Sequence, residues 1–136
     1  MGHRRKAREI ALQGLYMYDT VNTAPEELSE LIWVEEEIND EIRDFAIKLI
    51  TSTIANIKEE DELIVKFAKN WKFDRIAAID KSILRMSIFA LLHLSEIPAP
   101  VTINEGIELG KIYGSENSAQ FINGILDAIN KSGTKL

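Results

Sequence analysis

The sequence has no cysteine, two histidines, three prolines and no long unbroken apolar run. The missing thiols exclude disulfide frameworks, thiolate zinc sites, iron–sulfur clusters and cysteine nucleophiles together. His3 and His93 are too few and too far apart in the chain for a histidine metal cluster or a histidine-based triad, and no cofactor is expected. A membrane-spanning helix needs about 18 or more consecutive apolar residues, and none occurs. The opening Met-Gly-His-Arg-Arg-Lys has no apolar stretch behind its charges, so no secretory signal is expected and the cytoplasm is the expected location. What is present is a globular balance: 136 residues, 46% hydrophobic and 28% charged. A chain of this size buries roughly 65–70% of its unfolded surface, so one folded domain over residues 1–136 is expected without a metal or disulfide.

Charge is spread unevenly. Arg4, Arg5, Lys6 and Arg8 stand in residues 1–8 without an acid, which leaves −10 on the rest of a chain whose net charge is −6. Residues 26–44, by contrast, hold nine acids and one base, Arg43. An acidic protein with one basic edge binds polyanions weakly overall but offers one local phosphate-contacting surface. Any nucleic acid is therefore expected near the N-terminus.

Hydrophobic periodicity predicts helices throughout. Ala7, Ile10, Ala11, Gly14, Leu15 and Tyr18 step by three and four, one buried face of a helix over about residues 4–19. Thr23-Ala24-Pro25-Glu26 reads as a capping box opening a second helix through Leu28, Leu31 and Ile32. Ala46, Leu49, Ile50, Thr53, Ile54 and Ile57 carry a third to about residue 58, and Leu63, Ile64, Phe67 and Ala68 a fourth. Asp74 is placed to cap the next, whose stretch from Ile83 to Leu94 is apolar on nearly every side and so belongs at the centre of the packing, with Pro98 and Pro100 as its stop. Thr102-Ile103-Asn104-Glu105 predicts a further start, Gly106 and Gly110 a face that another backbone can approach, and Gly114 a left-handed end. Ile122, Ile125, Leu126 and Ile129 line a last helix to about Asn130, with a frayed tail over residues 131–136. No segment alternates with the period of a strand, so the fold class is all-α with about seven helices.

Catalytic material is scarce, and a non-enzyme is expected. His93 falls on the apolar helix and reads as an ordinary buried or boundary histidine. The run Glu59-Glu60-Asp61-Glu62 lacks the spacing and central glycine of a calcium loop and reads as a solvated helix junction. Gly106 and Gly110 lie within a helix and follow no strand, which favours packing over a phosphate loop.

The first helix carries the most information. At 100° per residue, Arg5, Leu12 and Tyr16 fall opposite its apolar stripe, with Arg8 between the two sectors. Two uses fit an outward aromatic among guanidinium groups. Single-stranded nucleic acid could lay its phosphates on the arginines and stack its bases on the ring; alternatively Leu12 and Tyr16 dock against another helix while the arginines are merely solvated.

Several motifs then occur together and in order. Arg4-Arg5-Lys6-Ala7-Arg8-Glu9 is followed by Ala11-Leu12-Gln13-Gly14-Leu15-Tyr16, then Ile83-Leu84-Arg85, then Val101-Thr102-Ile103-Asn104-Glu105-Gly106-Ile107-Glu108-Leu109-Gly110-Lys111 and Phe121-Ile122-Asn123-Gly124-Ile125-Leu126. From about residue 4 to 130 the chain resembles the NusB family of bacterial transcription antitermination factors. The resemblance implies two small helical bundles packed side by side, helices one to three and the remainder. It further implies binding of boxA RNA together with the ribosomal protein NusE, within the antitermination complex of RNA polymerase. By position, Arg4, Arg5, Lys6, Arg8 and Tyr16 match the family's RNA-facing segment, as do Asn117 and Phe121 at the start of the last helix. Asn117 replaces the acid often found there, removing one repulsion against phosphate. Asp80, where relatives often carry Glu, matches a position toward the protein partner. Four cations on phosphates imply a salt slope of at most roughly −3 for single-stranded RNA.

Three other readings stay open at this stage. One is the NusB-like domain that positions RNA for ribosomal RNA methyltransferases, although residues 1–136 hold no methyl-donor fold and no cysteine nucleophile. Another is a protein scaffold using residues 26–44. The third is a homodimer that covers its RNA face through Leu12 and Tyr16.

Overall fold

The computed structural model describes residues 2–133, and the regular structure among them is entirely helical. Seven α-helices run in order: α1 (Gly2–Val21), α2 (Pro25–Leu28), α3 (Asp40–Ala55), α4 (Ile57–Phe67), α5 (Ala78–His93), α6 (Ala99–Tyr113) and α7 (Ser118–Lys131). A single 3₁₀ turn, Phe73–Arg75, precedes α5. The all-α class predicted from periodicity is the class observed. No helix among the described residues is long and apolar enough to cross a membrane. The chain divides into two compact units, Met1–Ala55 and Asn56–Leu136.

In the first unit α1 packs along α3, and the buried Ala7, Ile10, Ala11 and Leu15 share a core with Ile42, Ala46, Leu49 and Ile50. Asn39 sets the start of α3, its Oδ1 accepting the Ile42 N–H at 2.8 Å and satisfying an otherwise orphaned donor. The second helix is shorter than its pattern suggests. Its N-cap is Ala24, no side-chain hydrogen bond caps it, and it ends at Leu28. Leu31 instead turns left-handed with φ at 53° and is buried. That conformation costs roughly 1–2 kcal/mol, which burying a leucine side chain, worth about 1.5–3 kcal/mol, offsets.

The expected run to residue 58 is broken. Asn56, at φ −111° and ψ 21°, leaves the helical region between α3 and α4, in keeping with an asparagine side chain's competition for its own backbone.

In the second unit α5 is the pillar, buried continuously from Ser82 to Ala90, with α4, α6 and α7 each packed against it. Three predicted boundaries are corrected here. Asp74 lies in the 3₁₀ turn and does not cap α5, whose N-cap is Ala77. Thr102 sits inside α6, which starts at Ala99 with Pro100 in its first turn, where the missing N–H would have had no helical partner anyway. Gly114 is extended, at φ −93° and ψ −165°, not left-handed.

Glycine is needed at 114 for space, whereas at 110 a methyl group would press on the flexible end of Ile122. A Cβ on Gly110 would come within 3.4 Å of the Ala119 backbone, the close approach of α6 and α7 that the spacing predicts. A Cβ on Gly114 would lie 2.5 Å from that of Ser118, whose Oγ accepts the Ser115 N–H at 2.9 Å and closes the turn. Gly114→Ala is expected to push Ser118 aside and cost about 1–3 kcal/mol in a urea titration; an unchanged midpoint would show that the turn absorbs the methyl group.

The acidic run on α4 is not a solvated junction. Asp61 forms a two-pronged ion pair with Arg85 of α5 (Nε to Oδ1 2.8 Å, Nη2 to Oδ2 2.9 Å), and Glu59 meets His93 Nε2 at 2.9 Å. His93 stacks on Phe89, a boundary histidine at the helix end. Glu60 is fully buried, and neither of its carboxyl oxygens has a hydrogen-bond partner. It lies three and four residues before Leu63 and Ile64, so helical spacing puts it on the face that α4 buries. Burial, reinforced by the neighbouring Asp61 charge and only partly opposed by Arg85, pushes its carboxyl up to about 9. Of the predicted tail, Lys131 closes α7 and residues 132–133 form a turn, while residues 134–136 lie outside the described residues.

Candidate nucleic-acid interface

α1 is helical from Gly2, so its basic residues stand on a formed helix. Arg4 is exposed, its guanidinium 4.5 Å from the centroid of the Phe45 ring. Arg8 approaches the same ring at 5.6 Å but is only 9% exposed. Both lie within cation–π reach, which fixes planar cations over an aromatic of α3. Arg5 is half-buried. Lys6 pairs with Glu36, and that hydrogen bond and charge hold the Glu36 carboxyl below its ordinary value. His3 Nδ1 meets Glu41 Oε1 at 2.6 Å.

The basic cluster is therefore isolated in sequence but not in space, because acids from residues 36 and 41 fold back onto it. The expectation of four solvent-facing cations does not hold for Arg8.

Tyr16 is 40% exposed, on the outer side as predicted. Leu12 is not: it is 1% exposed. The buried arc of α1 runs from Ile10 through Ala7 and Leu15 to Leu12, about 200° of the helix, wider than the single stripe its spacing suggests. Leu12 is consequently unavailable as an outward contact for RNA or for a second copy. Arg5 and Tyr16 share the outer side and stand about 16 Å apart along the axis, a span of several nucleotides.

The second unit brings Asp80, Asn117 and Phe121 to one cavity of about 430 Å³. Position had assigned Asp80 to a protein partner and the other two to RNA, yet the structure gathers all three. Asp80 is 8% exposed, and its Oδ1 has no hydrogen-bond partner. Asn117 is exposed, at the N-cap of α7, and Phe121 is half-buried one turn on.

Trp71, Arg75 and Gln120 also line it, together with Ile76, Ala77 and Ser115, and were missed from sequence. Trp71 packs edge-on to Phe121 with centroids 6.0 Å apart. A signal was available: Lys69, Trp71, Lys72, Phe73 and Arg75 interleave basic and aromatic residues outside any periodic helix, a pattern suited to stacking on bases beside phosphates. Among the described residues no group of three metal-ligating side chains converges, and the cavity holds no nucleophile paired with a base. Its polar and aromatic lining comprises a carboxylate, a guanidinium, a hydroxyl, two amides and two rings.

Comparison with known proteins agrees on one family. The NusB family model matches residues 5–131. A transcription antitermination protein NusB from Syntrophus aciditrophicus is 47% identical over 129 residues, covering 95% of this chain and 80% of its own. The solved structure of T. maritima NusB superposes with a TM-score of 0.85 at 32% identity, over 94% of this chain and 90% of that one. A crystal structure of antitermination factors NusB and NusE in complex with double-stranded RNA gives 0.85 at 28% identity, over 97% and 98%. The matched region takes in α1, the cavity and the α6–α7 motifs alike, and the chain belongs to the NusB family.

Proposed function

We propose that this chain is a transcription antitermination factor that binds boxA-type single-stranded RNA together with ribosomal protein NusE, in the cytoplasm and without any chemical step. The complex so formed serves to assemble the antitermination machinery on RNA polymerase. The observation that carries the reading is the outer side of α1, where Arg5 and the exposed Tyr16 stand along one preformed helix, with Arg4 exposed near its start. Family membership and the neighbouring structure with NusE and RNA support the same assignment. On the first unit arginines set the register of the strand through its phosphates and Tyr16 takes bases.

A titration of fluorescent boxA RNA and a scrambled control, with and without NusE and across several salt concentrations, tests it. Preference for boxA that tightens with NusE is expected, with a slope of about −2 to −3. Arg4→Gln combined with Arg5→Gln is expected to flatten that slope by about 1.4, two contacts of about 0.7 each. Equal weak binding of both RNAs, indifferent to NusE, would overturn the reading.

Lys6 adds a directional check. An RNA phosphate must displace Glu36 to reach it, so Glu36→Gln is expected to raise RNA affinity about two- to fivefold at low salt and leave it unchanged at high salt.

A further inference from the structure

We infer that Phe45 of α3 is a positioning residue for RNA binding, its ring holding the Arg4 guanidinium ready for a phosphate while touching no RNA itself. This rests on the RNA-binding reading above.

Arg4 shares its sector of α1 with the buried Ala7, Arg8 and Ala11, on the side packed against α3. A long cationic side chain there has two poor choices, burial or free motion past the helix end. Phe45 offers a third. Its ring is half-buried, and the Arg4 guanidinium carbon lies 4.5 Å from its centroid, with that of Arg8 at 5.6 Å. Arg8 is 9% exposed and Arg4 is exposed, so one ring serves an inner and an outer cation a helical turn apart. The negative face of the ring offsets the repulsion between the two. Glu41, which meets His3, stands one turn before Phe45, so consecutive residues of α1 are fastened to consecutive turns of α3.

The kind of contact matters. A guanidinium held through its π-face keeps its N–H donors, which radiate in its plane, available to phosphate oxygens. A cation held by a carboxylate spends donors on it, as Lys6 does on Glu36. Arg4 is thus ordered without being neutralised. Ordering counts, because immobilising one long side chain on binding weakens affinity about two- to tenfold.

The test uses the full chain with boxA RNA and NusE. Phe45→Leu keeps apolar bulk without a ring and is expected to weaken binding about three- to fivefold. Phe45→Tyr keeps the ring and should bind like the unmodified chain. The salt slope should stay unchanged in Phe45→Leu, since the phosphate contact still forms, whereas Arg4→Gln lowers it by about 0.7. Added to Arg4→Gln, Phe45→Leu should cost nothing further, because the two act as a unit. Replacing Phe45 by pentafluorophenylalanine preserves the ring's shape and reverses its quadrupole, and should lose as much affinity as leucine. Melting curves confirm that each variant is folded. In the RNA-free protein the Arg4 Hδ resonances should be moved upfield by the ring current and return to their ordinary position in Phe45→Leu.

Arg4 resonances unmoved by Phe45→Leu overturn the stack and the inference with it. Equal losses in the leucine and tyrosine variants, or a fluorinated ring that binds like the parent, show a purely structural role and overturn it too. Each of these results leaves RNA binding by α1 standing. Failure of the unmodified chain to bind boxA in the presence of NusE overturns the RNA-binding reading itself, and the inference falls with it.

Discussion

Raising the pH from about 5 to about 8 is expected to lower the unfolding free energy by up to about 4 kcal/mol, through the single side chain of Glu60. Its carboxyl is fully buried, unpartnered and pushed up to about 9. In the unfolded chain it titrates at its ordinary value of 4.5. Between those two values the folded protein keeps a proton that the unfolded chain has lost, so each pH unit there favours unfolding by about 1.36 kcal/mol. Below the lower value the contribution is fully present, and above the upper one it is gone. Burial sets most of the height; Asp61 and Glu59 raise it further, and Arg85 lowers it. Glu60→Gln keeps the shape and removes the proton, so its stability should be nearly flat over the same range and exceed that of the unmodified protein at pH 8. Urea titrations at each pH read this directly. A variant curve parallel to that of the unmodified chain would show that Glu60 is ionised when folded.

The second large effect concerns the ion pair beside it. Asp61→Asn is expected to cost about 3–5 kcal/mol near neutral pH, because it strands the Arg85 guanidinium, whose side chain is 8% exposed, without its counter-charge. Arg85→Met should cost clearly less. The Asp61 side chain left behind is 28% exposed and can be hydrated, and methionine refills the buried space. The two predictions are linked. Removing Asp61 takes away the nearest charge that keeps Glu60 protonated and leaves Arg85 in want of an anion, so Glu60 should ionise more readily and assume that role. The Asp61→Asn protein is therefore expected to show a shallower pH dependence as well as a lower plateau. A cost equal in both single variants would mean that the pair acts through shape and not through charge.

What the residues revealed in advance follows from how many turns of helix repeat a signal. α1, α5 and α7 repeat their apolar steps over three or more turns, and α5, apolar on nearly every side, could only be central. Signals of one residue fared worse. Ala24 and Ala77 occupy N-caps although Thr23 and Asp74 offered better chemistry, and neither cap makes a side-chain hydrogen bond. Glu60 was misread because charge in a run of four acids looks solvated, while its place relative to Leu63 and Ile64 decided its burial. Leu12 was misread because a stripe drawn from one neighbour underestimates a helix buried over about 200°. On the site, Tyr16 lies outward as its angle indicates, whereas Arg4 is exposed only because it stands at the end of the buried arc, over Phe45; Trp71 and Arg75 escaped because they belong to no periodic element.

The continuous burial of α5 also governs how the protein is made. Synthesis delivers Ile83 to Ala90 well before α7, whose Ile122 to Ile129 help to cover it. At roughly 5–20 residues per second, the forty or so residues between Ala90 and Ile129 take about 2–8 s to emerge. Throughout that interval the most apolar segment of the nascent chain has no complete groove to enter. In a chain halted near residue 100 it would stay uncovered, and such exposed apolar surface is what drives incomplete chains to aggregate.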